Sequence, residues 1–160
     1  MATPIWRRSP ASRPENGSVS LRLRRGLGVG VILALVGGGC SSSGQLGTQA
    51  LSQHSKSLQS VAAEGSLLAR DAASGRTTRV FTRVHSSDLY GAASKAEDAL
   101  KAAKTEPTLE PKVRQLAVLA GRISVDLERL GSASRDESRA LALELQGAAR
   151  ASQKIGAGLE

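Results

Sequence analysis

One heptad pattern between residues 109 and 130 limits the folds open to this chain. Seven apolar residues recur there at alternating spacings of four and three: Leu109, Val113, Leu116, Ala120, Ile123, Leu127 and Leu130. Such a stripe lies along one face of an α-helix and is stable only when that face packs against other helices. The pattern therefore predicts an all-α protein in which this helix has helical partners.

A helical hairpin is predicted before this segment. Its first helix covers about residues 46–73 and stops before Gly75, and its second covers about residues 79–104 after an N-cap at Thr77 or Thr78. The first stripe comprises Leu51, Leu58, Val61, Gly65, Leu68 and Ala72. The second stripe is expected to be Phe81, His85, Leu89, Ala92, Ala96, Ala99 and Ala103.

A fourth helix is predicted after residue 134. Ser134 and Glu137 have the spacing of a capping box, and an apolar stripe follows them. Its members are Leu141, Leu145, Ala148, Ile155 and Leu159. Four helices joined by short links predict an antiparallel, up-down-up-down four-helix bundle over residues 48–160. The alternative is a set of longer hairpins that complete their core by dimerising, which leaves the oligomeric state open.

The segment before the bundle has the parts of an export signal. Arginines occupy three of the positions 22–25, a run rich in apolar residues and glycine follows from Leu27, and Gly37, Gly38 and Gly39 precede Cys40. From Leu27 to Gly39 a helix would span roughly 20 Å, whereas the hydrocarbon core of a bilayer needs about 30 Å. The length therefore favours a cleaved signal peptide over a permanent membrane span.

These residues resemble the type II signal peptide of bacterial lipoproteins. The resemblance implies cleavage between Gly39 and Cys40 and attachment of diacylglycerol to the Cys40 thiol. It divides the chain into a signal peptide at 1–39, a lipidated Cys and Ser/Gly tether at 40–47, and the bundle. Residues 1–20 are expected to be disordered or untranslated, with a start near residue 19. The alternative is an ordinary secretory signal, which would give a secreted or signal-anchored protein without lipid.

The net charge of the whole chain does not indicate what kind of partner the mature domain binds. Of the total of +8, residues 1–39 carry +5 and residues 40–160 carry only +3. The predicted mature domain is therefore nearly balanced, and aromatic residues make up just 2% of the chain. A nucleic-acid interface needs a basic surface, and one for single strands also needs aromatic stacking platforms. No nucleic-acid partner is expected.

Residues able to perform chemistry are few. The single Cys excludes an intrachain disulfide and any metal site with two thiolates, and no Gly-x-Ser-x-Gly motif is present. In the predicted hairpin His54 and His85 lie about 18 Å apart along the bundle axis, too far to share a metal. Asp88 is expected to be a surface partner of His85. We expect no catalytic residue, cofactor or metal, and no enzymatic activity.

The predicted topology gathers arginines at the end of the bundle far from Cys40, which we call the distal end. They are Arg70, Arg76, Arg79, Arg83, Arg129, Arg135 and Arg139. Five acidic residues accompany them: Asp71, Asp126, Glu128, Asp136 and Glu137. One interpretation is a solvated end with local ion pairs. The other is a basic face, with Arg76, Arg79 and Arg83 as candidate binding residues for an acidic envelope protein or polymer.

Together these features predict a scaffold, adaptor or accessory subunit of the bacterial cell envelope. The lipid on Cys40 would hold it to the cell membrane at the extracytoplasmic face, and it would act through protein contacts. The alternative function is a ligand-binding or lipid-binding helical module with an apolar groove between loosely packed, Ala-rich helices.

Overall fold

A computed structural model describes residues 45–159, which form four α-helices and two very short β-strands. The helices are α1 (Thr48–Ala73), α2 (Arg79–Ala102), α3 (Glu110–Leu130) and α4 (Arg135–Ala157). The strands are β1 (Gln45–Leu46) and β2 (Lys104–Thr105). Each helix begins and ends within two residues of its predicted limits or cap. The predicted signal peptide, Gly39, Cys40 and the first part of the tether lie outside the described residues.

The helices run alternately up and down and form an antiparallel four-helix bundle, which confirms the predicted fold. Their contacts are unequal. α1 packs most extensively on α4, and α2 packs most extensively on α3. The contact of α1 with α2 and that of α3 with α4 are smaller, although a short link joins the helices of each pair. Proximity in the sequence therefore does not decide which helices lie closest.

The core is built mainly of leucine and alanine. In the α3 stripe every residue from Val113 to Leu130 is buried, and only Leu109, at the start of the helix, is partly exposed. Leu141 and Leu145 of α4 are buried against the same centre. Burying a leucine side chain contributes roughly 1.5–3 kcal/mol, so these residues supply much of the stabilisation of the bundle.

The stripe predicted for α2 was wrong. Phe81, Ala92 and Ala99 are exposed, and Leu89 is the one predicted member that is fully buried. The buried face instead comprises Thr82, Ser86, Leu89, Ala93 and Leu100. Two of these residues, Thr82 and Ser86, are small and polar, and α2 makes its most extensive contact with α3. Such residues leave little hydrophobic pattern in a sequence.

Buried serines join α1 to α4. Ser55 Oγ donates a hydrogen bond of 2.6 Å to the Ser152 carbonyl oxygen, and Ser66 Oγ donates one of 2.8 Å to the Ala142 carbonyl oxygen. The approach is close, since a β-carbon built on Gly156 would lie 2.7 Å from Ser55 Oγ. Small side chains permit this distance, and the hydroxyl groups are satisfied by backbone carbonyls of the neighbouring helix.

The end of the predicted tether is part of the folded domain. β1 pairs in parallel with β2, which lies in the link between α2 and α3, and Thr105 Oγ1 donates a 3.0 Å hydrogen bond to the Leu46 carbonyl oxygen. Residues 45 and 46 are therefore fixed at the end of the bundle opposite the α1–α2 and α3–α4 links. Among the described residues, no helix is both long and apolar enough to cross a membrane.

Candidate functional site

The distal end is formed by two short links that each lead into a helix N-terminus. In the first link Gly75 ends α1 with a positive φ of 71°, a conformation that suits glycine. Thr78 then caps α2, its hydroxyl oxygen accepting a hydrogen bond of 3.2 Å from the Phe81 amide. In the second link Ser134 and Glu137 form the predicted capping box at the start of α4. The positive ends of two helix dipoles therefore meet at this end.

Most acidic residues of the distal end already have a partner. Asp71 pairs with Arg76 at 2.5 Å, and Asp136 pairs with Arg139 at 3.1 Å. A carboxylate oxygen of Glu137 accepts a 2.8 Å hydrogen bond from the Ser134 amide, and the hydrogen bonds from Ser134 hold the pKa of Glu137 below its usual value. The charges of these acidic residues are therefore already balanced by partners other than Arg79, Arg83 and Arg135.

Three arginines meet at a pocket between the two links. Arg79 and Arg83 come from the start of α2 and Arg135 from the start of α4, and the pocket has a volume of about 300 Å³. We call it the distal arginine pocket. None of the described residues that line it is acidic, and none of the three arginines forms an ion pair within the described part of the chain. The pocket therefore concentrates positive charge.

Glycines in the links make room for two of these arginines. A β-carbon built on Gly75, in the first link, would lie 3.1 Å from Arg135 Nη2. A β-carbon on Gly131, in the second link, would lie 3.8 Å from Arg83 Cγ. Each link thus passes close to an arginine side chain of the other hairpin. This reciprocal packing places charges from both hairpins around one pocket.

The predicted arginine candidates separate in the structure. Arg79 and Arg83 line the pocket, whereas Arg76 pairs with Asp71 and is not among the lining residues. Arg135 takes the place expected for Arg76. A sequence signal for Arg135 did exist, because it follows directly after the predicted N-cap Ser134. The first residue of a helix lies at the same end as its N-cap, so Arg135 was expected beside the α3–α4 link.

The remaining arginines of the predicted cluster lie elsewhere. Arg129 is 3.8 Å from Asp126 and 3.9 Å from Glu144, at the α3–α4 contact. Arg70 lines a groove between α1 and α4. The expectation of local ion pairs therefore holds for Arg76, Arg129 and Arg139, and it does not hold for the three pocket arginines.

An exposed apolar surface adjoins the pocket. The first two turns of α2 carry Val80, Phe81 and Val84, with 73%, 53% and 58% of their surface exposed. The single Phe and the single Tyr of the chain, Phe81 and Tyr90, both lie on α2 and both are exposed. Aromatic rings next to arginines are typical of protein–protein interfaces.

The two histidines have different surroundings. His85 Nε2 lies 2.8 Å from Glu64 Oε1, and its ring stacks on Phe81, so Glu64 rather than the predicted Asp88 is its carboxylate partner. His54 lies on α1, where burial lowers its pKa. Within residues 45–159 no group of three or more His, Cys, Asp or Glu side chains could hold a metal ion.

A second candidate surface lies between α3 and α4. It is a shallow groove of about 550 Å³ with Val118 and Leu119 of α3 on one side and Ala151 and Ile155 of α4 on the other. Arg122 stands at its edge. The groove exists because α3 and α4 are in less extensive contact than α1 and α4. Sequence periodicity did not indicate it, because Val118 lies outside the heptad stripe.

A buried carboxyl lies further along the same contact. The Asp126 side chain is 5% exposed, and its Oδ2 atom has no hydrogen-bond partner within the described residues. Burial, together with the negative charge of Glu144 on α4, raises the pKa of Asp126 to about 6, although Arg122 and Arg129 oppose the shift. Only a protonated Asp126 can donate a hydrogen bond towards the Glu144 carboxylate.

No protein-family model, curated protein or solved structure matches the chain.

Proposed function

We propose that this protein is a lipid-anchored scaffold, adaptor or accessory subunit of the bacterial cell envelope, which holds an acidic partner at its distal end. The observation that carries the proposal is the distal arginine pocket, which three arginines from two hairpins line and whose described lining includes no acidic residue. The function requires no covalent chemistry by this chain. It requires a fixed distance from the membrane and a charged surface at that distance.

The position of the pocket relative to Cys40 suits such a role. Four residues separate Cys40 from β1, a reach of at most about 18 Å. The 26 residues of α1 then place the pocket roughly 40 Å further along the bundle axis. Two or three acyl chains on Cys40 would suffice for stable anchoring, where one would be marginal. The protein would then present its arginines away from the lipid surface.

Charge and apolar contact together define the partner. An acidic envelope protein or polymer would gain charge-assisted hydrogen bonds from Arg79, Arg83 and Arg135. Val80 and Phe81 beside them offer an apolar contact that favours a protein over a simple polyanion. Because the arginines are exposed, the attraction should weaken as salt concentration rises.

The anchor is tested by expressing the full chain and Cys40→Ser, fractionating the cells, and measuring the mass of the mature N-terminal peptide. We expect a diacylglycerol-modified Cys40 in the membrane fraction, and an uncleaved or released variant. An unmodified N-terminus on the native chain in the soluble fraction would contradict the anchor.

The distal contact is tested by cross-linking the native chain in intact cells and identifying its partners at low and high salt. Arg79→Glu with Arg83→Glu should abolish the salt-sensitive partner. The matched control is Arg114→Glu with Arg150→Glu, which makes the same change in net charge away from the pocket. A partner retained by both variants, or lost equally from both, would argue against the pocket as the contact.

The α3–α4 groove favours a second candidate function, binding of the acyl chain of an anionic lipid. Its apolar lining fits hydrocarbon, and Arg122 at its edge, whose charge also acts on Asp126, could meet a charged headgroup. Displacement of a fluorescent fatty acid tests this function. Val118→Asp should prevent binding, and Val80→Asp, an equally exposed valine on α2, should not. Equal binding by both variants would exclude the groove.

A further inference from the structure

We propose that the distal arginine pocket binds a phosphate group, a ligand class that deepens the proposed function and rests on it. Three arginine side chains line a single space, and the described residues lining that space include no carboxylate. Guanidinium groups have the geometry and the charge to bind oxyanions through paired hydrogen bonds.

Phosphate fits this charge better than a carboxylate does. A carboxylate carries one negative charge and two acceptor oxygens, which one arginine can satisfy. A phosphate monoester carries up to two negative charges and three acceptor oxygens at neutral pH. Three arginines can engage it from different directions, and Arg79 and Arg83 of α2 and Arg135 of α4 all line this pocket.

The surrounding backbone supports the same ligand. Both α2 and α4 begin at this pocket, so their positive dipole ends add to the field of the arginines. Gly131 and Gly75 leave space beside Arg83 and Arg135 that a side chain would fill.

The size of the pocket indicates what else the ligand carries. About 300 Å³ lies at the lower end of the range for small-molecule sites, and it exceeds the space that one phosphate occupies. A phosphate attached to a small residue, such as glycerol, fits this volume. An extended nucleic acid strand does not.

The probe is inorganic phosphate, titrated by calorimetry into the full mature chain in neutral detergent with chloride keeping the ionic strength constant. We expect saturable binding of one phosphate, weakened at least about tenfold by Arg79→Gln with Arg135→Gln, because hydrogen bonds to charged groups contribute more than neutral ones. Arg114→Gln with Arg150→Gln removes the same charge elsewhere and should change the affinity less than about twofold.

Absence of phosphate binding by the native chain, or equal weakening in both double variants, would overturn the proposal. A modification experiment guards against variants that fail to fold. Phosphate should protect Arg79, Arg83 and Arg135 of the native chain from phenylglyoxal, and it should leave Arg150 reactive. Equal modification at all four positions would contradict the site.

Two further probes distinguish the source of the phosphate. Glycerol phosphate in solution should compete with inorganic phosphate if the natural ligand is soluble or polymeric, and vesicles of phosphatidate should compete if it is a lipid headgroup. Competition by neither would count against the site. If phosphate binds but the cross-linked partner is unaffected by the pocket variants, the adaptor function fails and the phosphate site stands. If the pocket variants lose the cross-linked partner and the native chain does not bind phosphate, the phosphate site fails and the adaptor function stands.

Discussion

The two sides of α4 differ in how they meet their neighbours. On the side facing α1, Ser152 and Gly156 allow close approach, and serine hydroxyls bridge the helices. On the side facing α3, no other helix in the described part of the chain lies within 4 Å of a β-carbon built on Gly147, which lines an open cleft together with Leu119 and Arg122. The comparison teaches that small residues bring helices together only where the partner offers matching small or polar groups.

The sharpest test of this difference is the same substitution on each side of α4. Gly156→Ala should destabilise the protein by about 1–2 kcal/mol, since its β-carbon would displace Ser55 Oγ from its hydrogen bond. Gly147→Ala should stabilise it by about 1 kcal/mol, because alanine is the better helix former and the space is open. Urea unfolding of both variants measures the difference. Changes of the same sign would break the comparison.

The α3 side should respond to pH through Asp126. Because its pKa of about 6 in the folded state lies above the unfolded value of 3.8, the folded protein holds this proton more tightly. The stability from this proton is fully present below about pH 4 and is lost as the pH rises through 6. Asp126→Asn should therefore stabilise the protein by about 2 kcal/mol at pH 8 and by almost nothing at pH 4.

Urea unfolding of the variant and the native chain at both pH values measures this effect. Asp98→Asn, which neutralises an exposed carboxylate on α2, serves as the control and should change stability by less than about 0.5 kcal/mol at either pH. A constant gain for Asp126→Asn at both pH values would mean that the carboxyl does not titrate as described.

A smaller effect is expected from the serine bridge on the α1 side. Ser66→Ala should destabilise the protein by about 1 kcal/mol, because it removes the buried hydrogen bond to the Ala142 carbonyl. Ser57→Ala changes an exposed serine of the same helix and should be neutral or slightly stabilising. Thermal unfolding of the pair tests it. Equal stability of the two variants would show that the Ser66 hydrogen bond does not stabilise the α1–α4 interface.

Much of the architecture was predictable because it depends on local, repeated signals. The α3 stripe, the capping box at Ser134 and the stop at Gly75 each require only residues close together in the sequence. The position of Phe81 was not predictable in the same way. The heptad spacing of Phe81 predicted that it lies on the apolar face of α2. The face that is actually buried is the one on which α2 packs most extensively against α3.

The candidate site was only partly predictable for a related reason. The sequence placed arginines at the distal end, since the topology follows from helix number and link length. It could not say which of them would pair with Asp71 or Asp136 and which would form no ion pair within the described residues. Ion pairing depends on distances of a few ångströms, and these depend on how each side chain lies over the links.

The sequence by itself determined the helices, their ends and their alternating direction, because heptad spacing, caps and short links act along the chain. Only the tertiary structure decided which helices lie closest, which buried carboxyl has an oxygen with no hydrogen-bond partner among the described residues, and which three arginines share a pocket. These features depend on groups that are distant in the sequence. Alanine, glycine and serine let such groups meet at short range while leaving almost no periodic signal of their own.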